Sequence, residues 1–319
     1  MQTIKYLIKI ICTMNMKNEE ITKQNGNICF NEENHVYWDI TCPEQKFVSV
    51  TTMIHSFTQP FDKEFWSACK ALEKLLDKDS WAIEKKSLLN SNKFDKMLLE
   101  MHGIDEDDFN REQQAILDAW DEENRKSCER GTKIHANLEN SFYKQKCDID
   151  ISKYQIGGKF TCIKDKTELD LENGIYPEYL ISWTSSDGKL RVAGQIDLLV
   201  KKGNSIIIGD YKTNKEIKTK SFFNNKTKAS VKMKYPLNTL DDVNYWHYTM
   251  QLSTYAYMIQ KLNPEFQIED LVMIHFDHND NMTVYHLPYL KDEVIKMLVY
   301  YKKESALQEN KRKRQRIEY

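Results

Sequence analysis

The sequence predicts an α/β protein with a central mixed β-sheet flanked by helices, preceded by a small β-meander and a helical module. Three observations carry that class. Residues 27–54 alternate apolar and polar positions between turn-forming residues, the period of strands, and residues 176–212 read as three strand-like runs separated by turns. Residues 62–145 repeat their apolar positions every three or four residues, the period of helices. Beyond residue 235 a long helical pattern is followed by two strand-like runs and a final helical one. With 319 residues, 40% of them hydrophobic, the chain is long enough to bury a sizeable core. It shows no internal repeat, heptad array or Gly/Ser linker.

Taken in order, residues 1–26 form an N-terminal extension. Its opening MQTIKYLIKIICTMNM has an apolar run broken by Lys9, too short to span a bilayer and without a small-residue cleavage site. It is expected to be a frayed strand, or to precede a true start at Met14 or Met16, rather than a signal peptide. Residues 27–126 follow as the meander and helical module, with helical pieces in DKEFWSACKALEKLL, FDKMLLEMHG and the run from Arg111. Residues 127–300 are expected to hold the main core. There, YPEYLISWTSSDGKLRVAGQIDLLVKKGNSIIIGDYKTNK reads as three adjacent antiparallel strands with turns at 185–189 and 202–205. An irregular lysine-rich segment covers 215–235, a helix runs from about Asn244 to Leu262, and two short strands precede the last helix. Residues 301–319 form that helix's end and the basic KRKRQR tail, for which a disordered end is expected, with phosphate contact or nuclear import as alternatives.

The formal net charge of −2 gives no global basic field, so any polyanion site must be built from local lysines and bound cations. The seven cysteines include no CxxC pair and fit free thiols in a reducing, intracellular compartment, with no membrane association.

The chemistry concentrates in VAGQIDLLVKKGNSIIIGDYKTNK. Strand periodicity puts Asp210 and Lys212 on one face and Tyr211 on the other, and the hairpin at 202–205 brings Asp197 towards Asp210. Two close carboxylates stay ionised most readily with a divalent cation between them, and hard oxygen ligands suit Mg²⁺ or Mn²⁺. Such a site suits phosphodiester hydrolysis, with Lys212 orienting the nucleophile or neutralising developing charge. A surface ion pair between Asp210 and Lys212 is the plain alternative. Upstream, RGTKIHANLE carries Gly131 and His135 as G-x-x-x-H, with Glu139 one helical turn beyond as a candidate partner of His135. Downstream, YTMQLSTYAY carries Gln251 and Tyr255 as Q-x-x-x-Y on one helical face.

Together, Gly194 to Asp197 as G-x-x-D, Asp210-Tyr211-Lys212 as D-x-K, and these two flanking motifs in this order resemble the RecB-type branch of the PD-(D/E)xK nuclease superfamily. FVSVTTMI, PLNTLDDVNYWHY and Glu178 in YPEYLISW are similar to segments of RecB-like exonucleases from bacteriophages and large DNA viruses. The resemblance covers about residues 47–262. It implies a restriction-endonuclease-like core and a metal-dependent DNA exonuclease working in recombination, repair or genome processing. It further implies that His135, Asp197, Asp210 and the Tyr211 carbonyl hold Mg²⁺ or Mn²⁺, that Lys212 serves the attacking water, and that Gln251 and Tyr255 orient substrate. Glu178, like Glu139, is placed as a supporting residue. No cysteine follows Cys162, so no iron–sulfur cluster is expected.

DNA with a free end or a single strand is the expected partner, alongside replication or recombination proteins, in the cytoplasm or, in a eukaryotic host, the nucleus. Lys215 and Lys218, heading a lysine series interleaved with Phe222, Phe223 and Tyr235, are expected to contact substrate from a mobile basic flap or else to be a solvated loop. A structure-selective or restriction-like endonuclease is the rival reading, and an inactive nucleic-acid-binding adaptor a more distant one. His275 and His278 are expected to be solvated turn histidines, since strand spacing puts them on opposite faces.

Overall fold

The structure is a computed structural model, described for residues 23–144, 171–224 and 229–317. The expectations for residues 1–22, Cys147, Cys162, Lys226 and Lys228 lie outside the described residues. The chain divides into two units, one made of the residues up to 59 together with those from 134 onward, the other of Pro60–Lys133.

In the first unit, the alternating stretch near the N-terminus folds as β1 Lys23–Asn25, β2 Ile28–Asn31, β3 Val36–Asp39 and β4 Cys42–Ser49, an antiparallel meander. Ser49 then caps α1, Val50–His55, its hydroxyl accepting from Thr52 N at 3.0 Å and satisfying one of the free amides at the helix start. The second meander is β5 Gly174–Thr184, β6 Arg191–Lys202 and β7 Ser205–Lys212. After α6, Asn244–Leu262, come β10 Gln267–Phe276, parallel to β7, and β11 Met282–His286, antiparallel to β10. The two meanders join because β4 pairs in parallel with β6 at Val48↔Val192 and Ser49↔Ala193. The result is one mixed sheet of nine strands among the described residues, ordered β1-β2-β3-β4-β6-β7-β10-β11, with β5 on the other edge of β6.

Both faces of the central strands are covered, which is why IIIGDYK reads as a nearly continuous apolar run rather than an alternating one. Ile196, Leu199, Ile206 and Ile208 pack with residues of α1, α6 and α7, the last helix, Lys291–Ile317. Leu198, Val200, Ile207 and Tyr211 pack on the opposite side with Leu138 and Phe142 of α5, the helix Glu106–Tyr143. Each fully buried aliphatic side chain here stabilises the fold by about 1.5–3 kcal/mol.

Two sequence expectations need correction. The basic tail is not a disordered end: α7 continues through it to Ile317. The described parts of the 215–235 segment, which leave out residues 225–228, are not wholly irregular. They hold a two-stranded pairing of β8 Phe223–Asn224 with β9 Ala229–Ser230, and they are tied down at several points. Asp241 accepts from Ser221 N at 3.2 Å, Ser230 Oγ at 3.0 Å and Lys232 Nζ at 2.5 Å, and Lys234 N donates to Phe57 O at 2.7 Å.

The second unit is helical: α2 Lys63–Leu75, α3 Lys78–Ser91, α4 Met97–Met101 and the first part of α5. Asp62 and Asp77 cap α2 and α3, and Phe65, Leu72, Leu88, Leu99 and Phe109 form its core. The expected boundary between residues 126 and 127 falls inside α5. No helix among the described residues is long and apolar enough to cross a membrane.

Candidate active site

The site begins with a split in the sheet. One edge of β6 pairs with β5 along its length, from Arg191 to Lys201. The other edge pairs with β4 only at Val192 and Ala193, and with β7 only from Leu198 onward. Residues 194–197, the G-x-x-D stretch, therefore have no strand partner on that edge among the described residues, and the space between the diverging strands is where charged groups gather. At the start of the gap, a Cβ on Gly194 would lie 2.6 Å from Tyr255 Cε1 and 2.9 Å from its hydroxyl oxygen. Glycine is needed there because the phenol ring of α6 lies directly against the strand backbone.

At the far end of the gap, Asp197 is 8% exposed and its Oδ2 accepts from Tyr211 N at 2.8 Å. On β7, Asp210 is 2% exposed; its Oδ1 accepts from Gln251 Nε2 at 3.1 Å, and its Oδ2 is ion-paired with Lys212 Nζ. Gln251 Nε2 also reaches Tyr255 Oη at 3.4 Å, so the two motif residues of α6 are linked to each other and to the D-x-K strand. Asp210 and Lys212 meet on one side, as strand periodicity requires, while Tyr211 packs with α5 on the other.

From α5, His135 directs Nδ1 to Glu178 Oε1 at 3.5 Å and Asp197 Oδ2 at 3.6 Å, and Nε2 to the Tyr211 carbonyl at 3.2 Å. Glu178 lies across from Asp197, because its neighbours Pro177 and Tyr179 pair with Leu198 and Ile196. It holds a left-handed φ of 51° inside a strand, a strained conformation of the kind concentrated at functional sites. Gln195 and Lys23 hold its Oε2, whereas the buried Oε1 accepts no hydrogen bond among the described residues and faces His135 Nδ1 as an ion pair at 3.5 Å. His135, Glu178 and Asp197 bring one ligand atom each within 4.8 Å of one another. An imidazole, two carboxylates, one of them with a buried oxygen that accepts no hydrogen bond among the described residues, and an adjacent carbonyl form a donor set that fits a divalent cation.

The electrostatics fit it too. Burial, with the nearby Asp210 charge, pushes the Asp197 carboxyl up to about 7. Burial acts to lower His135, but Asp197, Glu178 and Asp210 together raise its imidazolium to about 9. Burial likewise opposes charge on Lys212, and Asp210 and Asp197 override it, raising the ammonium. Glu178 is held low against burial by His135 and Lys23. In the metal-free protein, then, the protonated imidazole supplies positive charge between Glu178 and Asp197.

His135, Asp197 and the Tyr211 carbonyl come together, Glu178 joins them directly, and Asp210 beside them is engaged by Lys212 and Gln251. Glu139 is half-buried and acts on the charge of Lys23 rather than bonding His135. Lys215 is exposed, and exposed Lys218 pairs with Glu216 at 3.0 Å. His275 overturns its expectation: it is buried on β10 and its Nε2 meets the Asn214 carbonyl at 2.7 Å. Sequence reasoning also missed Tyr248, whose ring lies 4.7 Å from Lys212 Nζ and whose hydroxyl donates to Asn214 Oδ1 at 2.5 Å. Its place one helical turn before Gln251 was the available signal.

A family model described as the PD-(D/E)XK nuclease superfamily matches residues 108–318. No curated protein sequence matches the chain. Among solved structures, one designated SSO0001 is similar at 11% identity and a TM-score of 0.30, covering 92% of this chain and 83% of its own. A Eubacterium rectale protein carrying an exonuclease designation is similar at 14% identity and a TM-score of 0.33, covering 79% and 77%.

Proposed function

The chain belongs to the PD-(D/E)XK nuclease superfamily, and from that premise we propose that it is a metal-dependent DNA exonuclease of the RecB-like branch. The observation that carries this reading is the convergence of His135, Glu178 and Asp197 beside the Asp210–Lys212 pair at the split of β6. The order of G-x-x-x-H, G-x-x-D, D-x-K and Q-x-x-x-Y supports the branch. Work in viral or phage recombination, repair or genome processing belongs to the same proposal.

His135, Glu178, Asp197 and the Tyr211 carbonyl would hold Mg²⁺ or Mn²⁺, with Asp210 adjoining. When bound, such a cation supplies Lewis-acid stabilisation of the charge that builds on a phosphoryl oxygen. Lys212, kept charged by its carboxylate neighbours, acts as a hydrogen-bond donor and positive charge rather than as a base. It orients the water whose oxygen bonds to phosphorus as the bond to the leaving sugar oxygen breaks. Gln251 holds Asp210 in place, and Tyr255 packs on Gly194 to keep α6 against the gap.

The test uses end-labelled linear DNA and covalently closed circles, each with Mg²⁺, Mn²⁺ or chelator. Linear DNA is expected to be shortened from its ends only when metal is present, with circles left intact. Asp210→Ala and Lys212→Ala are each expected to slow cleavage about 10²–10³-fold. Nicked circles would replace the exonuclease with an endonuclease of the same fold, and cleavage by both variants at the wild-type rate would sink the site.

A further inference from the structure

Elsewhere in the first unit, a cavity of about 450 Å³ lies between the end of α1, residues 234–235 and the middle of α7. Its lining includes Phe57, Tyr235, Tyr300 and Tyr301 together with Lys234 and Glu304. The volume is that of a small-molecule site, enough for one flat heteroaromatic group with its attached sugar. Tyr235 meets Tyr300 edge-on at 5.3 Å, and Phe57 is steeply inclined to Tyr300 at 6.0 Å and to Tyr301 at 6.4 Å. Phe57 is buried and Tyr300 and Tyr301 are half-buried, so the exposed ring of Tyr235 is the one with surface available to a planar guest. Tyr235 is 66% exposed although it is a large aromatic residue on a well-anchored segment.

The same segment continues the pattern away from the cavity. Val231 N donates to Phe222 O at 3.3 Å, so Phe222, 77% exposed, lies beside the residue that follows β9 on the way to Tyr235. Lys232 is occupied by Asp241, but Lys234 has no carboxylate partner among the described residues; its Nζ reaches only the Ser56 carbonyl, at 3.5 Å. Exposed aromatic residues beside an available ammonium group are elements of a single-strand platform, in which bases stack and phosphates meet cations.

We propose that this cavity binds an unpaired nucleobase of a single-stranded stretch of substrate, with Phe222 providing a further stacking surface and Lys234 meeting a phosphate. The proposal rests on the reading that the chain acts on DNA, and it assigns the strand's bases to a place separate from the hydrolytic carboxylates.

The experiment measures fluorescence anisotropy with the full chain in chelator, so that nothing is cut. The probes are labelled oligo(dT), a blunt duplex, and an abasic strand with the same number of phosphates. Oligo(dT) is expected to bind at least about 10-fold more tightly than the abasic strand or the duplex, and Tyr235→Ala to lose about 10-fold for oligo(dT) alone. Lys234→Gln is expected to weaken oligo(dT) and the abasic strand alike. Equal binding of oligo(dT) and the abasic strand by the wild-type protein overturns the proposal, and this comparison does not depend on any variant folding. A folded Tyr235→Ala protein that binds oligo(dT) like wild type overturns it as well. Hydrolysis of bis(p-nitrophenyl) phosphate by the wild type with Mn²⁺ is read separately. Failure there counts against the nuclease reading, whereas the base-binding result stands on the anisotropy.

Discussion

The helical unit and the sheet unit use charge in opposite ways. In residues 60–133, ion pairs such as Lys63–Asp121 at 2.6 Å, Lys70–Glu73 at 2.6 Å and Lys74–Glu112 at 3.0 Å lie at the surface, each between oppositely charged and solvated partners. In the sheet unit, Asp197, Asp210 and Glu178 lie close together out of water, and among the described residues His135, Lys212 and Lys23 balance them. The first arrangement contributes little to stability because water solvates the separated charges almost as well. The second costs stability unless something further binds, since burial and like charge both oppose ionisation. Charges that a fold keeps despite their cost point to function, whereas charges it holds at no cost do not.

The largest effect is expected from Asp197→Asn, where activity and stability should move in opposite directions. Cleavage should fall about 10²–10³-fold, while the metal-free protein melts a few degrees higher, since the amide oxygen can still accept from Tyr211 N. A lower melting temperature would show that Asp197 stabilises the fold by itself. Next is Tyr248→Leu, which removes the ring under Lys212 and should slow cleavage about 10-fold; Tyr248→Phe, keeping the ring, should lose much less. Equal losses in the two variants would assign the effect to the hydroxyl bond with Asn214.

A smaller effect is expected from pH. The Asp197 carboxyl is raised to about 7 from an ordinary 3.8, and the His135 imidazolium to about 9 from 6.5. Both folded values lie above the unfolded ones, so the protons they retain favour the fold at low pH. That contribution is lost as pH rises from about 4 through 7 for Asp197 and from 6.5 through 9 for His135. Metal-free melting temperature should therefore decline across pH 5–9, while the increment gained on adding Mn²⁺ grows over the same window. A constant increment would remove proton competition from the site. The smallest effect is Lys63→Ala, expected to change unfolding free energy by no more than about 0.5 kcal/mol in urea melts.

Much of this contrast was legible in the sequence where it depended on local spacing. The strands around Asp197 and Asp210, the helix limits at Asn244 and Leu262, and the shared face of Gln251 and Tyr255 all follow from periods of two and 3.6. What remained hidden came from pairings distant in the chain. Nothing near Val48 says that it will lie beside Val192, yet that pairing defines one side of the gap. The direct approach of Glu178 to His135 depends on a left-handed backbone at a non-glycine residue, which no propensity anticipates. His275 looked like a turn residue because a turn begins just after it, but β10 carries it into the interior.

The contact of Tyr255 with Gly194 has a consequence for heredity as well as for packing. With so little room, no side chain can be added at 194 unless the ring at 255 is cut back, and no single substitution does both. A lineage cannot alter the first position without passing through a damaged intermediate, unless the second changes first. Among relatives of this chain the two positions should therefore vary together or not at all, with larger residues at 194 found only beside small ones at 255.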